Sequence, residues 1–239
     1  MLKHFFFDLD NTLTRSKSHI APEHKPILRK LMENADVIVV SGHPQQDIRT
    51  HLEDLAGYYV LAQNGNFAQV PDGTLLWEHR LKEGQVRAAY AFIEKARKYL
   101  AYKVRDENDI FENRGCMIAF SLIGHHENQD IKDAFDPDHA KRTKLFEALH
   151  DDVAELEHKA NMQILIAGTT NLDIIEKGRT KGYNINKFIK KQGWKKEDCL
   201  YVGDALFPGG NDETVIGVIP TKAVKDYRET YEYLESILT

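Results

Sequence analysis

Ten residues near the start, Phe5 to Thr14 (FFFDLDNTLT), constrain the fold more than any other stretch. Three consecutive phenylalanines, with Leu2 before them, predict a short strand buried on both faces, as in a covered parallel sheet. The strand delivers two carboxylates, Asp8 and Asp10. Side chains at i and i+2 of an extended chain share a face. Both can therefore enter one pocket at the strand's C-terminal end, where ligands bind in open α/β sheets. Two close carboxylates repel and need a divalent cation or a shared proton. Hard oxygen donors of this kind suit Mg²⁺, which takes one or two carboxylates together with water and phosphate oxygens. A calcium loop fits poorly, because it needs glycine at its sixth position and that place, counted from Asp8, holds Leu13. Sugar-nucleotide transferases also use Asp-x-Asp pairs, and the pair taken alone leaves that alternative open.

The following residues predict repeated βα units. Ala21 to Asn34 reads as a helix, with Pro22 in its first turn and Ile27, Leu28, Leu31 and Met32 at helical spacing. Asp36 to Val40 is a second buried strand, ending in Ser41 and Gly42. A hydroxyl there can bind a phosphate oxygen where glycine lets the backbone approach closely; a plain Ser-Gly turn is the alternative. A helix opens at Pro44, Tyr58 to Leu61 is a strand, and Asn64-Gly65 and Asp72-Gly73 mark hairpins before Leu75-Leu76-Trp77. The order then changes. Glu83 to Leu100 predicts a helix, Gly115 to Gly124 a strand, Asp138 to Leu156 a helix and Met162 to Ala167 a strand. This reads as an α+β domain, residues 83–177, inserted into an α/β core formed by residues 1–82 and 178–239.

The core resumes at Lys181, which heads a helix with Ile185, Phe188 and Ile189 on one face. A lysine at a helix start opposes the macrodipole, which points to an anion nearby, although such lysines are common without one. Cys199 to Val202 is a strand leading to Asp204, and a Pro-Gly-Gly turn returns Asp212. Two acids so placed can close a metal site; an acidic surface turn is the alternative. Val215 to Ile219 predicts a last strand. Tyr227, Tyr231, Leu234 and Leu238 define a closing helix whose stripe is core packing.

Composition sets the remaining bounds. At 239 residues with 42% hydrophobic content, the chain has material for one large or two modest domains. A net charge of −5 supplies no basic footprint for nucleic acid. No apolar run approaches the ~20 residues of a membrane span, and the FFF start is too short for a signal-peptide core. Cys116 and Cys199, far apart in the sequence, read as buried reduced thiols of a cytoplasmic protein. The eleven histidines show no zinc-binding spacing.

Taken in order, Asp8-x-Asp10-x-Thr12, Ser41, Lys181 and Gly203-Asp204 followed by Asn211-Asp212 resemble the four motifs of the haloacid dehalogenase (HAD) superfamily. An insertion between the second and third motifs is the arrangement of its type IIB, C2B-capped branch. Within that branch the loop GDALFPGGND, the segment Arg114-Gly115 to Ile123-Gly124, and Asn171-Leu172-Asp173 resemble eukaryotic-type phosphomannomutases. The resemblance implies a Rossmann-like core with a parallel sheet and a cap that reads the substrate. It implies Asp8 as nucleophile, Asp10 as general acid and base, and Thr12, Ser41 and Lys181 on phosphate oxygens. Mg²⁺ would be held by Asp8, Asp10, Asp204 and Asp212. The substrate would be a small phosphorylated metabolite, most simply a sugar phosphate, read through Arg114, His125, Lys132, Asn171 and Asp173. A homodimer through the cap is compatible with it.

The chain departs from the mutases where a second phosphate must be gripped. His125 stands where an arginine is expected, a second such place falls near Lys132, and the hairpin carrying a third is shortened. Asn171 replaces the serine of a Ser-Phe-Asp triplet, with Asp173 kept; Asn11 and Ser41 replace glycines. These departures favour hydrolysis over the mutase reaction. A non-catalytic sugar-phosphate sensor is disfavoured by the intact Asp8/Asp10 pair.

Overall fold

The computed structural model describes residues 2–100 and 102–238, which form two units: residues up to His79 together with those from Thr180, and Arg80–Arg179. The first unit is built around β1 (His4–Phe7), all four residues of which are buried. It continues through α1 (Lys25–Met32), β2 (Asp36–Val40), α2 (Gln45–Leu52), β3 (Tyr59–Ala62), β4 (Phe67–Gln69) and β5 (Leu75–Glu78). The second unit runs α3 (Glu83–Leu100), β6 (Phe111–Asn113), β7 (Ile118–Ser121), α4 (Gln129–Phe135), α5 (Ala140–Ala148), α6 (His150–Ala160), β8 (Met162–Ala167) and β9 (Asn171–Glu176). The chain then returns to the first unit with α7 (Lys181–Gln192), β10 (Cys199–Gly203), β11 (Thr221–Ala223) and α8 (Tyr227–Leu238).

The seven-stranded sheet of the first unit has the order β11-β10-β1-β2-β3-β4-β5. Its strands from β11 to β3 are parallel, and β4 and β5 complete it as antiparallel hairpins. The fold is α/β, as the alternation of apolar strands and amphipathic helices predicts. Phenylalanines on successive positions of β1 serve both faces. Phe6 packs with Ile38, Tyr201 and the α7 residues Ile185, Phe188 and Ile189, whereas Phe5 and Phe7 are buried on the opposite face by the two-residue period. Each buried ring stabilises the centre of the sheet by roughly 1.5–3 kcal/mol, which is why β1 holds its C-terminal end rigidly.

The second unit is a four-stranded antiparallel sheet, β6-β7-β9-β8, with α3, α5 and α6 packed around Ile118, Phe120, Leu172 and Ile174. Several elements differ from the sequence expectation. The strand expected over 115–124 shrinks to β7, because Gly115 (φ 90°) and Gly124 (φ 116°) sit in left-handed turns. The helix expected over 138–156 divides at Leu149 into α5 and α6, each of which buries its own leucine, Leu145 and Leu156. Helix 21–34 begins instead with a 3-10 turn at Pro22–His24. No strand forms over 215–219. Glu213–Val215 is a 3-10 turn, Gly217 adopts φ 82°, and the sheet resumes only at β11 after Pro220. β6, α4 and β9 were not anticipated as elements.

Candidate active site

The parallel register gathers the candidate residues at one edge. Phe7 is level with Val39 on β2 and Val202 on β10. Asp8 extends the ladder by one bond, its N–H donating to the Val202 carbonyl at 3.0 Å. Ser41 follows Val40 and Asp204 follows Gly203, so both leave their strands at the same end as Asp8. Beyond β1 the chain turns tightly: the N–H groups of Thr12, Leu13 and Thr14 all reach the Leu9 carbonyl. Asn11 adopts φ 56° at this turn, a conformation open to glycine and, among other residues, most readily to asparagine. The exchange of glycine for Asn11 noted in the sequence thus keeps the backbone geometry.

A buried charge cluster occupies that edge. Lys181, the first residue of α7, has no exposed surface, and its Nζ donates to Asp8 Oδ1 at 2.7 Å and to Asp212 Oδ1 at 2.6 Å. The anions anticipated from a lysine at a helix start are these two carboxylates. Asp212 also accepts from the Tyr201 hydroxyl at 2.6 Å and from the Ala205 N–H at 3.2 Å, so both its oxygens are fixed. Two glycines make room for this. A Cβ on Gly203 would lie 2.4 Å from Asp212 Oδ2, and one on Gly182 would lie 1.8 Å from the Thr214 carbonyl oxygen. Carboxylate oxygens of Asp8, Asp204 and Asp212 lie within 4.8 Å of one another.

Burial raises Asp8 well above the usual carboxylate range; Lys181 pulls it back, while Asp212 and Asp204 push it up. Asp204 is likewise raised, by burial and then by Asp212. Burial alone would lower Lys181, but Asp212 and Asp8 together hold it above its ordinary value. Asp10 behaves differently. Burial acts to raise it, yet the charge and hydrogen bond of His43, with the Lys17 N–H, hold it well below the carboxylate range. Its Oδ1 accepts from the Lys17 N–H at 2.7 Å, and its Oδ2 lies 2.8 Å from His43 Nε2.

Thr12 is fully buried, and its hydroxyl donates to Asp204 Oδ1 at 3.4 Å. Ser41 is buried, its Oγ accepting from the His43 N–H at 3.2 Å. In the second unit Arg114 forks onto Glu112 Oε2, from Nε at 2.9 Å and Nη2 at 2.6 Å. His125 is buried, its Nε2 donating to the Ala119 carbonyl, and Lys132 is buried with Nζ donating to the His125 carbonyl. Asp173 is buried opposite Ala119 and Leu165, whereas Asn171 is half-buried and accepts from the Thr170 hydroxyl. Sequence reasoning passed over His43 and Tyr201. His43 lies two residues after Ser41 and could have been flagged as a polar residue at a strand end. Tyr201 lies inside an apolar strand and gives no such signal.

Among comparisons with known proteins, a family model described as haloacid dehalogenase-like hydrolase matches residues 5–214. The phosphomannomutase of Triticum aestivum is 27% identical over 224 residues, covering 87% of this chain and 84% of the relative. That of Spinacia oleracea is 29% identical over 230 residues, covering 86% and 83%. Among solved structures, an IMP-nucleotidase from Plasmodium falciparum superposes with a TM-score of 0.73 at 15% identity, over 99% of this chain and 68% of that one. A haloacid dehalogenase-like hydrolase from B. subtilis gives 0.66 at 16% identity, over 98% and 99%. At these identities the two structures are similar in fold.

Proposed function

This chain belongs to the haloacid dehalogenase-like hydrolase family, and on that premise we propose that it is a Mg²⁺-dependent phosphatase of a small phosphorylated metabolite, a sugar phosphate. The observation that carries the reading is Asp8 held by a buried Lys181 beside Asp204 and Asp212, with Asp10 two residues on.

Asp8 attacks phosphorus, forming an aspartyl phosphate as the bond to the leaving oxygen breaks. Burial works against the anionic form that this attack requires, and Lys181 at 2.7 Å favours it. The protonated form of Asp10, which His43 and the Lys17 N–H make the minor one, gives its proton to the leaving oxygen, and the resulting carboxylate takes one from the entering water as the bond from phosphorus to Asp8 breaks. Inorganic phosphate leaves, and both carboxyl groups return to their starting states. Ser41 and Lys181 are assigned to the phosphate oxygens, with Thr12 acting through Asp204. Three carboxylates within 4.8 Å form a hard oxygen set that fits Mg²⁺. Asp8, Asp204 and the backbone carbonyl of Asp10 would hold the ion, with Asp212 supporting, while the Asp10 carboxylate stays with Lys17 and His43; when bound, the ion supplies positive charge against the phosphoryl oxygens.

Hydrolysis is favoured over interconversion by His125 and Lys132. Both are buried and hydrogen-bonded to backbone carbonyls, which weakens the cationic grip that a second phosphate needs. The mutase reading, interconversion of mannose 1- and 6-phosphate, is favoured by the names of the relatives, whose similarity extends over 86–87% of the chain. Following mannose 1-phosphate by ³¹P NMR with Mg²⁺ and a trace of hexose 1,6-bisphosphate separates the two. Release of inorganic phosphate is expected, abolished by Asp8→Asn; clean formation of mannose 6-phosphate would establish the mutase instead.

A further inference from the structure

We propose that His43 is the positioning residue of Asp10, an assignment that rests on the phosphotransfer reading above. Asp10 projects from a turn, and a carboxyl group on a turn has rotational freedom that an acid–base catalyst cannot use. Here both oxygens are fixed. The Lys17 N–H takes Oδ1 at 2.7 Å, and because an amide only donates, that oxygen is committed as an acceptor. His43 Nε2 takes Oδ2 at 2.8 Å and so sets the plane of the carboxyl group.

The residue is itself held. The His43 backbone N–H donates to Ser41 Oγ at 3.2 Å, the ring Nδ1 lies 3.6 Å from Asp47 Oδ2 in the first turn of α2, and the His51 ring meets it edge-on at 5.2 Å. His43 is buried, lies three residues past the end of β2, and has no other part in the mechanism. The same chain segment therefore carries Ser41 toward phosphate and His43 toward the group that protonates the leaving oxygen.

A residue that aims the general acid matters in proportion to the leaving group's need for a proton. Phenyl phosphate and 2,4-dinitrophenyl phosphate are both aryl esters but differ in that need, because the nitro groups stabilise the departing phenolate. The test measures kcat/KM with Mg²⁺ for the wild type, His43→Ala and His43→Gln on both esters. His43→Ala is expected to lose roughly 10²-fold on phenyl phosphate and less than about 3-fold on the dinitrophenyl ester. The retained dinitrophenyl activity also reports that the variant is folded. Glutamine places an amide nitrogen near the position of Nε2, so His43→Gln should recover to within about 10-fold of wild type on phenyl phosphate. Equal losses on both esters, or a glutamine variant no better than alanine, would overturn the assignment while leaving phosphotransfer intact. A wild type that releases no phosphate from either ester or from mannose 1-phosphate would overturn the phosphotransfer reading and this assignment with it.

Discussion

Replacing Lys181 by methionine keeps the length of the side chain and removes its charge from the middle of the cluster. Two carboxylates then lose a donor, Asp8 at 2.7 Å and Asp212 at 2.6 Å, in a place without solvent contact for the lysine. A hydrogen bond to a charged group contributes about 1.5–3 kcal/mol, so the two together amount to roughly 3–6 kcal/mol. Breaking a buried pair by removing one partner independently costs about 3–5 kcal/mol. For a chain of this size that corresponds to a fall in Tm of roughly 6–20 °C in metal-free buffer. A divalent cation binds the carboxylates that the ammonium has left, so millimolar Mg²⁺ should raise the Tm of the variant by more than it raises that of wild type. Activity should fall by roughly 10²–10³-fold even with Mg²⁺, as for loss of one preorganised electrostatic contact at the reacting group. Differential scanning fluorimetry with EDTA or Mg²⁺, followed by a phosphate-release assay, reads all three. A variant melting within about 2 °C of wild type in EDTA would refute the reasoning, because a buried ion pair that costs nothing to break is not holding the cluster.

Asp204→Ala should weaken Mg²⁺ binding, measured calorimetrically, more than it lowers Tm, whereas Asp212→Ala should do the reverse, because Asp212 carries bonds from Lys181, Tyr201 and Ala205. Similar profiles for the two variants would contradict the division. Tyr201→Phe removes the hydroxyl 2.6 Å from Asp212 and should cost about 1.5–3 kcal/mol in chemical denaturation; an unchanged midpoint would refute it. Asp8 and Asp204 bind protons more tightly folded than unfolded, so their contribution to stability is present at low pH and is lost as pH rises through their raised range. In EDTA, the Tm of wild type relative to Asp204→Asn should therefore fall between about pH 5 and about pH 8, and Mg²⁺ should remove the fall. The paired comparison cancels His24 and His51, which burial lowers and which act in the opposite direction. A relative Tm that rises with pH in EDTA would refute the assignment.

The core of the site was legible because its residues sit at strand ends, where an apolar run stopping at a polar residue is visible in one dimension. Phe5–Phe7 before Asp8, Val37–Val40 before Ser41 and Leu200–Val202 before Gly203-Asp204 all carry that signature, and the parallel register brings them to one edge. Tyr201 was not legible. Its hydroxyl acts across the sheet on Asp212, eleven residues away, and within CLYVG it reads as one more apolar strand residue. The second unit was read less well for a related reason. An antiparallel sheet with one strand as short as Phe111–Asn113 gives little periodicity, and its helices are short enough that Leu149 breaks a pattern that otherwise runs on.

Charge balance joins the sequence pattern to the chemistry. The edge of the sheet gathers three carboxylates, Asp8, Asp204 and Asp212, against the one ammonium of Lys181, which leaves two negative charges in that cluster. In a buried setting such an excess is costly, and the raised Asp8 and Asp204 express that cost as retained protons. A dication has the charge that cancels it, and an incoming phosphate then meets a site that is near neutral overall. The residues that build this imbalance are held by features serving no fold requirement of their own. Gly203 leaves the space that Asp212 fills, Tyr201 spends a buried hydroxyl on it, and Gly182 lets α7 start close enough for Lys181 to reach both partners. A fold selected for stability alone would replace the cluster with apolar side chains of similar volume, often with no loss. Its presence in a buried place is therefore the strongest physical reason to read this edge as a reactive centre.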